Sequence, residues 1–297
     1  MNNLQRNNIT FYQDSQQVTE CNPSFCFLHF LYFSRLGRVL RRFMRQRWVA
    51  RLSGFFYNSR LSRYRIQPFI TKHKVRMGDF VTPLGGYRSF NEFFTRSLKP
   101  NTRHIDLAES RCVSPVDGKV LVITNITPTS AFYVKQTQCN LEQFFGSVTL
   151  AQQYMGGTLM IFRLAPYDYH RIHFPIDCVP SKPTVIHGIF ESVNPVAFKA
   201  GVQPLLTNER HLITLATKQF DTVAMVLVGA MLVGTIVETY QPEIFHKKGS
   251  ECGYFAFGGS TVVLAFKPGI LTPCIRFIQH SLQGLETAVQ MGVVINE

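Results

Sequence analysis

The strongest constraint on the fold is a change in the spacing of the apolar residues near residue 111. Before that point the apolar residues recur at helical spacing, and after it short segments rich in β-branched residues alternate with turn signals. The segments that we expect to be strands are Gly118–Thr124, Gly157–Leu164, His211–Thr217, Val223–Val228, Met231–Val237 and Thr261–Phe266. Helices followed mainly by strands predict an α+β fold with a largely antiparallel sheet.

The first hundred residues divide into a polar tail and a helical region. Residues 1–20 read as a loose polar tail, and residues 25–76 carry apolar residues at three- and four-residue steps with arginines between them. This spacing is typical of basic amphipathic helices. A further short helix is expected over Ser89–Leu98, because Ser89 and Glu92 have the spacing of a capping box. We therefore divide the chain into a tail (1–20), a basic helical region (21–100) and a β-rich catalytic domain (101–297).

The positive charge is concentrated in the helical region. The chain of 297 residues has a formal net charge of +13, and residues 21–78 contain thirteen Lys and Arg but no Asp or Glu. A basic block beside a neutral body suggests attachment to an anionic surface, although a nucleic acid, an acidic protein or plain solvent also suits a charged helix face. The adjacent run FCFLHFLYF and the absence of acids favour an anionic membrane surface over nucleic acid.

Neither apolar segment of the chain predicts a membrane span. Phe25–Phe33 has nine residues, whereas a spanning helix needs about 20. Thr222–Val237 contains two glycines and many β-branched residues, so we expect two strands around a turn. The seven cysteines form no C-x-x-C pair, which argues against zinc or a disulfide framework and favours a reducing compartment. We expect no metal site and peripheral attachment to the cytoplasmic side of the cell membrane.

Two stretches concentrate ionisable residues. SPVDGKV contains Asp117 before Gly118, which by itself is an ordinary turn signal. FRLAPYDYHRIHFPID follows an expected strand and contains His170 and His173 three residues apart. A lone H-x-x-H is weak evidence for metal, and the flanking prolines argue against a regular helix. Clustered ionisable residues between apolar strands indicate the wall of a site, although a purely structural role for either histidine stays open.

The stretch YFAFGGSTVVLAF interrupts an apolar strand pattern with Gly258, Gly259, Ser260 and Thr261. Glycines in a strand usually mark a bulge or a close approach of the backbone. Alternatively, the glycines expose a peptide carbonyl to the following serine. The set Asp…His…Ser has neither the order nor the G-x-S-x-G pattern of an α/β-hydrolase, so that fold is excluded.

Taken together, these stretches resemble the phosphatidylserine decarboxylase proenzymes, a pyruvoyl-dependent family. SFNEFFTRSLKP, SPVDGKV, FRLAPYDYHRIHFPID, VGAMLVGTI and KKGSECGYFAFGGSTVVLAF occur in the family's order and cover roughly residues 50–290. The family's cleavage tetrad often reads L-G-S-T, and here it reads G-G-S-T with the glycine–serine pair intact. The resemblance implies decarboxylation of phosphatidylserine to phosphatidylethanolamine and CO₂.

The resemblance also implies how the cofactor is made. Ser260 would attack the Gly259 carbonyl, and elimination and hydrolysis would leave a pyruvoyl group at residue 260 that forms a Schiff base with the substrate amine. The zymogen would thereby become a β chain (1–259) and an α chain (260–297), with a higher homo-oligomer left open. By the same resemblance, Asp117, His173 and Ser260 form the relay for cleavage, and His170 serves the later proton transfer.

Two other interpretations remain open at the level of the sequence. The first is a membrane-associated serine hydrolase in which Ser260 stays intact. The second is a non-enzymatic, basic lipid-binding module. Both would remain a single chain, whereas the proenzyme would split in two. The expected partner is an anionic lipid surface and not a nucleic acid, and for the decarboxylase the expected substrate is phosphatidylserine.

Overall fold

The computed structural model describes residues 8–14, 16–21, 25–127, 140–231, 235–257 and 260–297. Within these ranges the fold is α+β, as expected, with mainly antiparallel strand pairs. The helices are α1 Phe25–Phe33, α2 Arg35–Met44, α3 Arg47–Asn58, α4 Ile66–His73, α5 Phe90–Phe94, α6 Leu141–Phe145, α7 Val148–Tyr154, α8 Pro195–Lys199, α9 Pro204–Thr207 and α10 Ile275–Leu282. Short 3₁₀ helices span Arg60–Arg65 and Met77–Asp79.

The strands form two sheets. They are β1 Asn8–Gln13, β2 Gln16–Cys21, β3 Gly118–Ile123, β4 Thr158–Leu164, β5 Arg171–His173, β6 Val179–Pro180, β7 Thr184–Ile186, β8 Arg210–Ala216, β9 Thr222–Val228, β10 Ile236–Glu238, β11 Glu251–Phe255, β12 Ser260–Phe266 and β13 Glu286–Val289. In the described chain the main sheet has the order β2-β1-β13-β3-β4-β12-β9-β8-β6, with β7 also paired to β8, and the small sheet has the order β10-β11-β5.

Strand β12 lies in the middle of the main sheet, between β4 and β9. Its successive side chains enter two different apolar clusters: Val262 and Leu264 pack on one face, and Val263 and Ala265 pack on the other. A strand buried on both faces reads as a continuous apolar run, which explains the sequence that follows Ser260. The start of this rigid central strand fixes the position of Ser260.

The N-terminal helices confirm the helical interpretation of residues 25–76. Helix α1 packs on α8 through a small apolar cluster that includes Leu31 and Tyr32. Helices α3 and α4 enclose α5, whose Phe90, Phe93 and Phe94 are buried among aromatic and aliphatic side chains. No helix in the described ranges is both long enough and apolar enough to cross a bilayer.

Three expectations differ from the structure. Residues 8–14 and 16–21 are not a loose tail but two paired strands, and β1 is held by buried Phe11 and by parallel pairing with β13. Helix α5 does begin after the Ser89 cap, whose Oγ accepts from Glu92 N at 3.2 Å, but it ends at Phe94 rather than Leu98. The strand expected over Met231–Val237 is described only as β10, since residues 232–234 lie outside the described ranges.

Candidate active site

Ser260 is the first residue of β12 and pairs with Leu164 of β4. Its side chain is fully buried, and its Oγ has no hydrogen-bond partner among the described residues. Native structures contain few such groups, because a buried hydroxyl without a partner costs about 1–3 kcal/mol. Gly258 and Gly259, and with them the carbonyl of the expected cleavage bond, lie outside the described residues.

His170 is buried in the loop between β4 and β5. Its Nδ1 donates to the carbonyl of Asp168 at 2.9 Å, and its ring lies 3.9 Å from the ring of Phe94. The backbone carbonyl of His170 accepts from Phe255 N at 3.0 Å, which ties this loop to the end of β11. Because Nδ1 carries the proton of the neutral ring, Nε2 is the basic nitrogen.

His173 ends β5 and is held at both ring nitrogens. Nδ1 donates to the carbonyl of Gly249 at 2.8 Å, and Nε2 accepts from the hydroxyl of Tyr169 at 2.9 Å. Burial lowers the pKa of His173 below its ordinary value near 6.5, although the hydrogen bond to Gly249 and the charges of Glu251 and Asp117 act in the opposite direction. His173 is therefore a neutral imidazole at pH 7, in a form that can accept a proton.

Asp117 precedes β3 and does not contact His173 through a hydrogen bond. Its carboxylate accepts from Arg103 Nη2 at 2.7 Å and from the backbone nitrogen of Met291 at 2.7 Å. The backbone carbonyl of Gly249, rather than Asp117, fixes the tautomer of His173 in this structure. Asp117 acts on His173 through space, since its negative charge opposes the effect of burial on the histidine pKa.

The structure thus brings the predicted residues into one region without joining them into a hydrogen-bonded triad. Among the described residues, neither His173 nor Asp117 bonds to Ser260 Oγ. Asp117 lines an open groove of about 820 Å³ together with Lys119, Asp168 and Tyr169, whereas Ser260 and His170 do not line that groove. Catalytic hydrogen bonds are often long or poorly aligned until the reactive geometry forms.

A buried ion pair fixes the loop between β4 and β5, residues 165–170, which we call the histidine loop. Lys119 Nζ lies 3.1 Å from Asp168 Oδ2 and 3.1 Å from the hydroxyl of Tyr167, and the same carboxylate accepts from Ala165 N at 2.7 Å. Burial raises the pKa of Asp168, and the charge of Lys119 opposes that shift. These contacts close the loop into a turn and direct His170 inward.

Sequence reasoning did not identify the residues that hold this loop from the helical side. Arg96 follows α5 and is buried; it donates to the carbonyls of Tyr167 and Asp168 at 2.9 and 3.3 Å. Burial lowers the pKa of Arg96 to about 10, which leaves it charged at neutral pH. Arg171 Nε donates to the carbonyl of Thr95 at 2.9 Å. The sequence signal nearest to these contacts is the stretch SFNEFFTRSL, which by itself predicts only a capped helix.

The cofactor that the resemblance implies would be formed from the chain itself. The described residues contain no group of three or more His, Cys, Asp and Glu side chains that could hold a metal ion. A pyruvoyl group at residue 260 would require a serine whose hydroxyl is not already engaged, in a site that limits the bulk water able to hydrolyse the intermediate ester. Ser260 meets both conditions among the described residues.

Comparisons with known proteins identify the family of the chain. The family model described as phosphatidylserine decarboxylase matches residues 90–295. A phosphatidylserine decarboxylase proenzyme from Chlamydia trachomatis serovar L2 is 41% identical over 264 residues, covering 89% of this chain and 88% of that protein. Those from Chlamydia pneumoniae (39%, covering 89% and 88%) and Chlamydia caviae (38%, covering 94% and 93%) are similar. Because the matches span most of each sequence, the chain belongs to the phosphatidylserine decarboxylase family.

Proposed function

We propose that this protein is a proenzyme that cleaves itself between Gly259 and Ser260 and then decarboxylates phosphatidylserine to phosphatidylethanolamine and CO₂. The observation that carries the proposal is Ser260 itself, whose fully buried Oγ has no partner in the described part of the chain. A hydroxyl kept at such a cost, at the start of a central strand and within a matched family segment, is better explained by reactivity than by stability.

Self-cleavage follows from the chemistry of a serine after a glycine. Ser260 Oγ attacks the carbonyl carbon of Gly259, and the peptide bond is replaced by an ester while the nitrogen of residue 260 becomes an amine. Loss of the Cα proton then expels the Gly259 carboxylate and leaves a dehydroalanine at residue 260. Its imine tautomer adds water and releases ammonia, so residue 260 ends as a pyruvoyl group.

His173 is our candidate for the base that accepts the Ser260 proton. Its lowered pKa keeps the ring neutral at pH 7, and Gly249 holds the proton on Nδ1, which leaves Nε2 to accept. For this, Nε2 must exchange the hydroxyl of Tyr169 for Ser260, directly or through water. Asp117 would stabilise the imidazolium through space, a weaker role than that of a hydrogen-bonded triad aspartate.

The mature site needs an electron sink and a proton donor. The pyruvoyl carbonyl would bind the substrate amine and accept the electrons released when CO₂ leaves. His170 is our candidate donor of the proton to the substrate carbon, since Asp168 fixes its Nδ1 and Nε2 is the nitrogen that exchanges protons. Arg96 and Phe94 hold this histidine by binding the loop backbone and packing on its ring.

The N-terminal helices supply a surface that suits an anionic bilayer. Large apolar side chains on α1–α3 are exposed, including Phe33, Leu36, Val39, Phe43, Trp48, Leu52 and Phe55. Exposed arginines accompany them, and among the described residues Arg38 and Arg42 make no ion pair. By contrast, Arg41 and Arg45 lie against buried Glu191 at 3.7 and 3.3 Å. Apolar side chains for the acyl boundary and cations for lipid phosphates support peripheral attachment.

Mass spectrometry of the intact purified protein tests the proposal. We expect two chains, of which the smaller contains the 38 residues from 260 to 297, weighs about 4 kDa and has no free amino terminus. Phosphatidylserine in vesicles should be converted with release of one CO₂ per substrate. Ser260→Ala should remain a single inactive chain, and Asp117→Asn and His173→Ala should remain mostly uncut.

A single uncut chain with decarboxylase activity would refute the proposal. An uncut chain that releases fatty acid or headgroup from a phospholipid, and loses this with Ser260→Ala, would instead identify a serine hydrolase. An uncut chain that binds vesicles without turnover would identify a lipid-binding module.

A further inference from the structure

The segment immediately before the expected cleavage bond is held by α5. The backbone nitrogen of Phe257 donates to Asn91 Oδ1 at 2.9 Å. Asn91 is the second residue of α5, and its Nδ2 donates to Oδ1 of Asn58, the last residue of α3, also at 2.9 Å. The chain therefore reaches the cleavage segment with its backbone bound to a side chain 166 positions away in the sequence.

Aromatic rings enclose the side chain of Phe257 as well. Its ring centroid lies 3.9 Å from Tyr57, 5.0 Å from Phe90 and 5.2 Å from Phe94. The contacts with Phe90 and Phe94 are edge-to-face, a favourable geometry for aromatic pairs. Phe94 also packs on His170 at 3.9 Å, so one helix contacts both the cleavage segment and the histidine loop.

Both ends of the reactive stretch are thus anchored. Ser260 is fixed by the pairing of β12 with Leu164, and Phe257 is fixed by Asn91 and the aromatic rings. Attack of Ser260 Oγ on the preceding carbonyl requires an unusual approach of atoms within one short segment. Holding both ends removes conformations that are far from the reactive one, and effects of this kind change rates by orders of magnitude.

We infer that Asn91 is a positioning residue for self-cleavage, acting through its hydrogen bond to the backbone of Phe257. Among the described residues Asn91 makes no hydrogen bond to Ser260 Oγ, and it does not titrate. It sets the direction in which the chain enters the cleavage segment. This inference rests on the proposed self-cleavage at Ser260 and adds a residue that the relay Asp117, His173 and Ser260 does not contain.

The test measures the half-time of self-cleavage of the full-length chain after synthesis in a cell-free system, by gel electrophoresis. Asn91→Ala removes the acceptor with a residue that favours helix. Asn91→Asp keeps an oxygen acceptor for Phe257 N. Asn58→Ala is the matched control, because it removes the second hydrogen bond of Asn91 but leaves the bond to Phe257. Thermal melting of each precursor is recorded in a Ser260→Ala background.

We expect Asn91→Ala to slow cleavage at least tenfold, and Asn91→Asp and Asn58→Ala to stay within threefold of the wild-type rate. The slowing by Asn91→Ala should be the same factor between pH 6 and 9, since the residue does not titrate. Hydroxylamine, which consumes an ester once it has formed, should not restore the rate, because the slowed step is ester formation.

Several results would overturn the inference. The first is an Asn91→Ala variant whose cleavage rate is within threefold of the wild-type rate. The second is an Asn91→Asp or Asn58→Ala variant that cleaves as slowly as Asn91→Ala. The third is full recovery of the Asn91→Ala cleavage rate in hydroxylamine. A slowing that matches a large loss of melting temperature would also assign Asn91 a structural role only. A wild-type chain that never cleaves would refute the proposed function, and this inference with it, whereas a cleaving wild type with a normal Asn91→Ala refutes the inference alone.

Discussion

Removing the hydroxyl of Ser260 should stabilise the uncut precursor. The Oγ atom is buried and has no hydrogen-bond partner among the described residues. Burying such a group costs about 1–3 kcal/mol relative to leaving it in water. Its removal leaves a void of about one oxygen atom, which at the usual cost per volume is worth about 0.3 kcal/mol. We therefore expect Ser260→Ala to raise the free energy of unfolding by about 1–2 kcal/mol.

The comparison must be made between two precursors that do not cleave. Both proteins therefore carry His173→Ala, and they differ only in Ser260 or Ala at position 260. Ser114→Ala in the same background is the matched control, because Ser114 is equally buried but donates to the carbonyl of Val116 at 2.8 Å. Loss of that satisfied hydrogen bond should lower the free energy of unfolding by about 1 kcal/mol.

Urea unfolding followed by circular dichroism gives the midpoints, and equal slopes show that the variants unfold between comparable states. The expected pattern is a higher midpoint for Ser260→Ala and a lower midpoint for Ser114→Ala. If Ser260→Ala is destabilised as much as Ser114→Ala, the hydroxyl has a partner in the folded precursor. The observation that carries the proposed function would then be lost, even if cleavage occurs.

Two further predictions concern pH and membranes. Burial lowers the pKa of His173 below its ordinary value near 6.5, so the cleavage rate should stay level as pH falls from 8 to 6.5 and decline only below that. The contribution of His173 to the stability of the fold should be lost over the same acid range, because the unfolded chain binds the proton first. A cleavage rate that is already halved above pH 6.5 would contradict this prediction. The double variant Arg38→Gln, Arg42→Gln should bind phosphatidylserine vesicles more weakly at low salt, with a smaller difference at high salt. The control is Lys182→Gln with Lys218→Gln, which removes the same charge from the β-rich domain and should leave binding unchanged. Equal sedimentation of both double variants with vesicles would place the membrane contact elsewhere.

The strands of the main sheet could be predicted closely because most of their residues are apolar. The expected strands at Gly118, Gly157, His211, Val223 and Thr261 each differ from the observed start by at most one residue. Apolar runs of this length predict strands that are buried on both faces of a sheet. Ser260, the residue that we propose to react, is the first residue of β12 and directly precedes the strand expected from Thr261.

The N-terminal hairpin could not be predicted in the same way. Its strands are rich in Gln, Asn and Thr, which read as a solvated tail, and a two-stranded hairpin is marginal by itself. It is ordered by tertiary contacts: β1 extends the main sheet through β13, and Tyr12 stacks on His280 at 3.6 Å. The decisive partner is more than 260 residues away, beyond the reach of local pattern.

The contacts of the candidate site could not be predicted from the sequence either, because its side chains are positioned largely by backbone groups. The family resemblance placed Asp117 in a relay with His173, yet the carbonyl of Gly249 orients the imidazole ring. Every residue has a backbone carbonyl, so the sequence does not show which one will bind a given side chain. Similarly, SFNEFFTRSL contained a correct helix cap, but the partners of Asn91 and Arg96 are the Phe257 amide and the loop carbonyls. A sequence identifies which side chains can react. The contacts that orient these side chains form only in the folded structure, where α5 packs against both the histidine loop and the segment around Phe257.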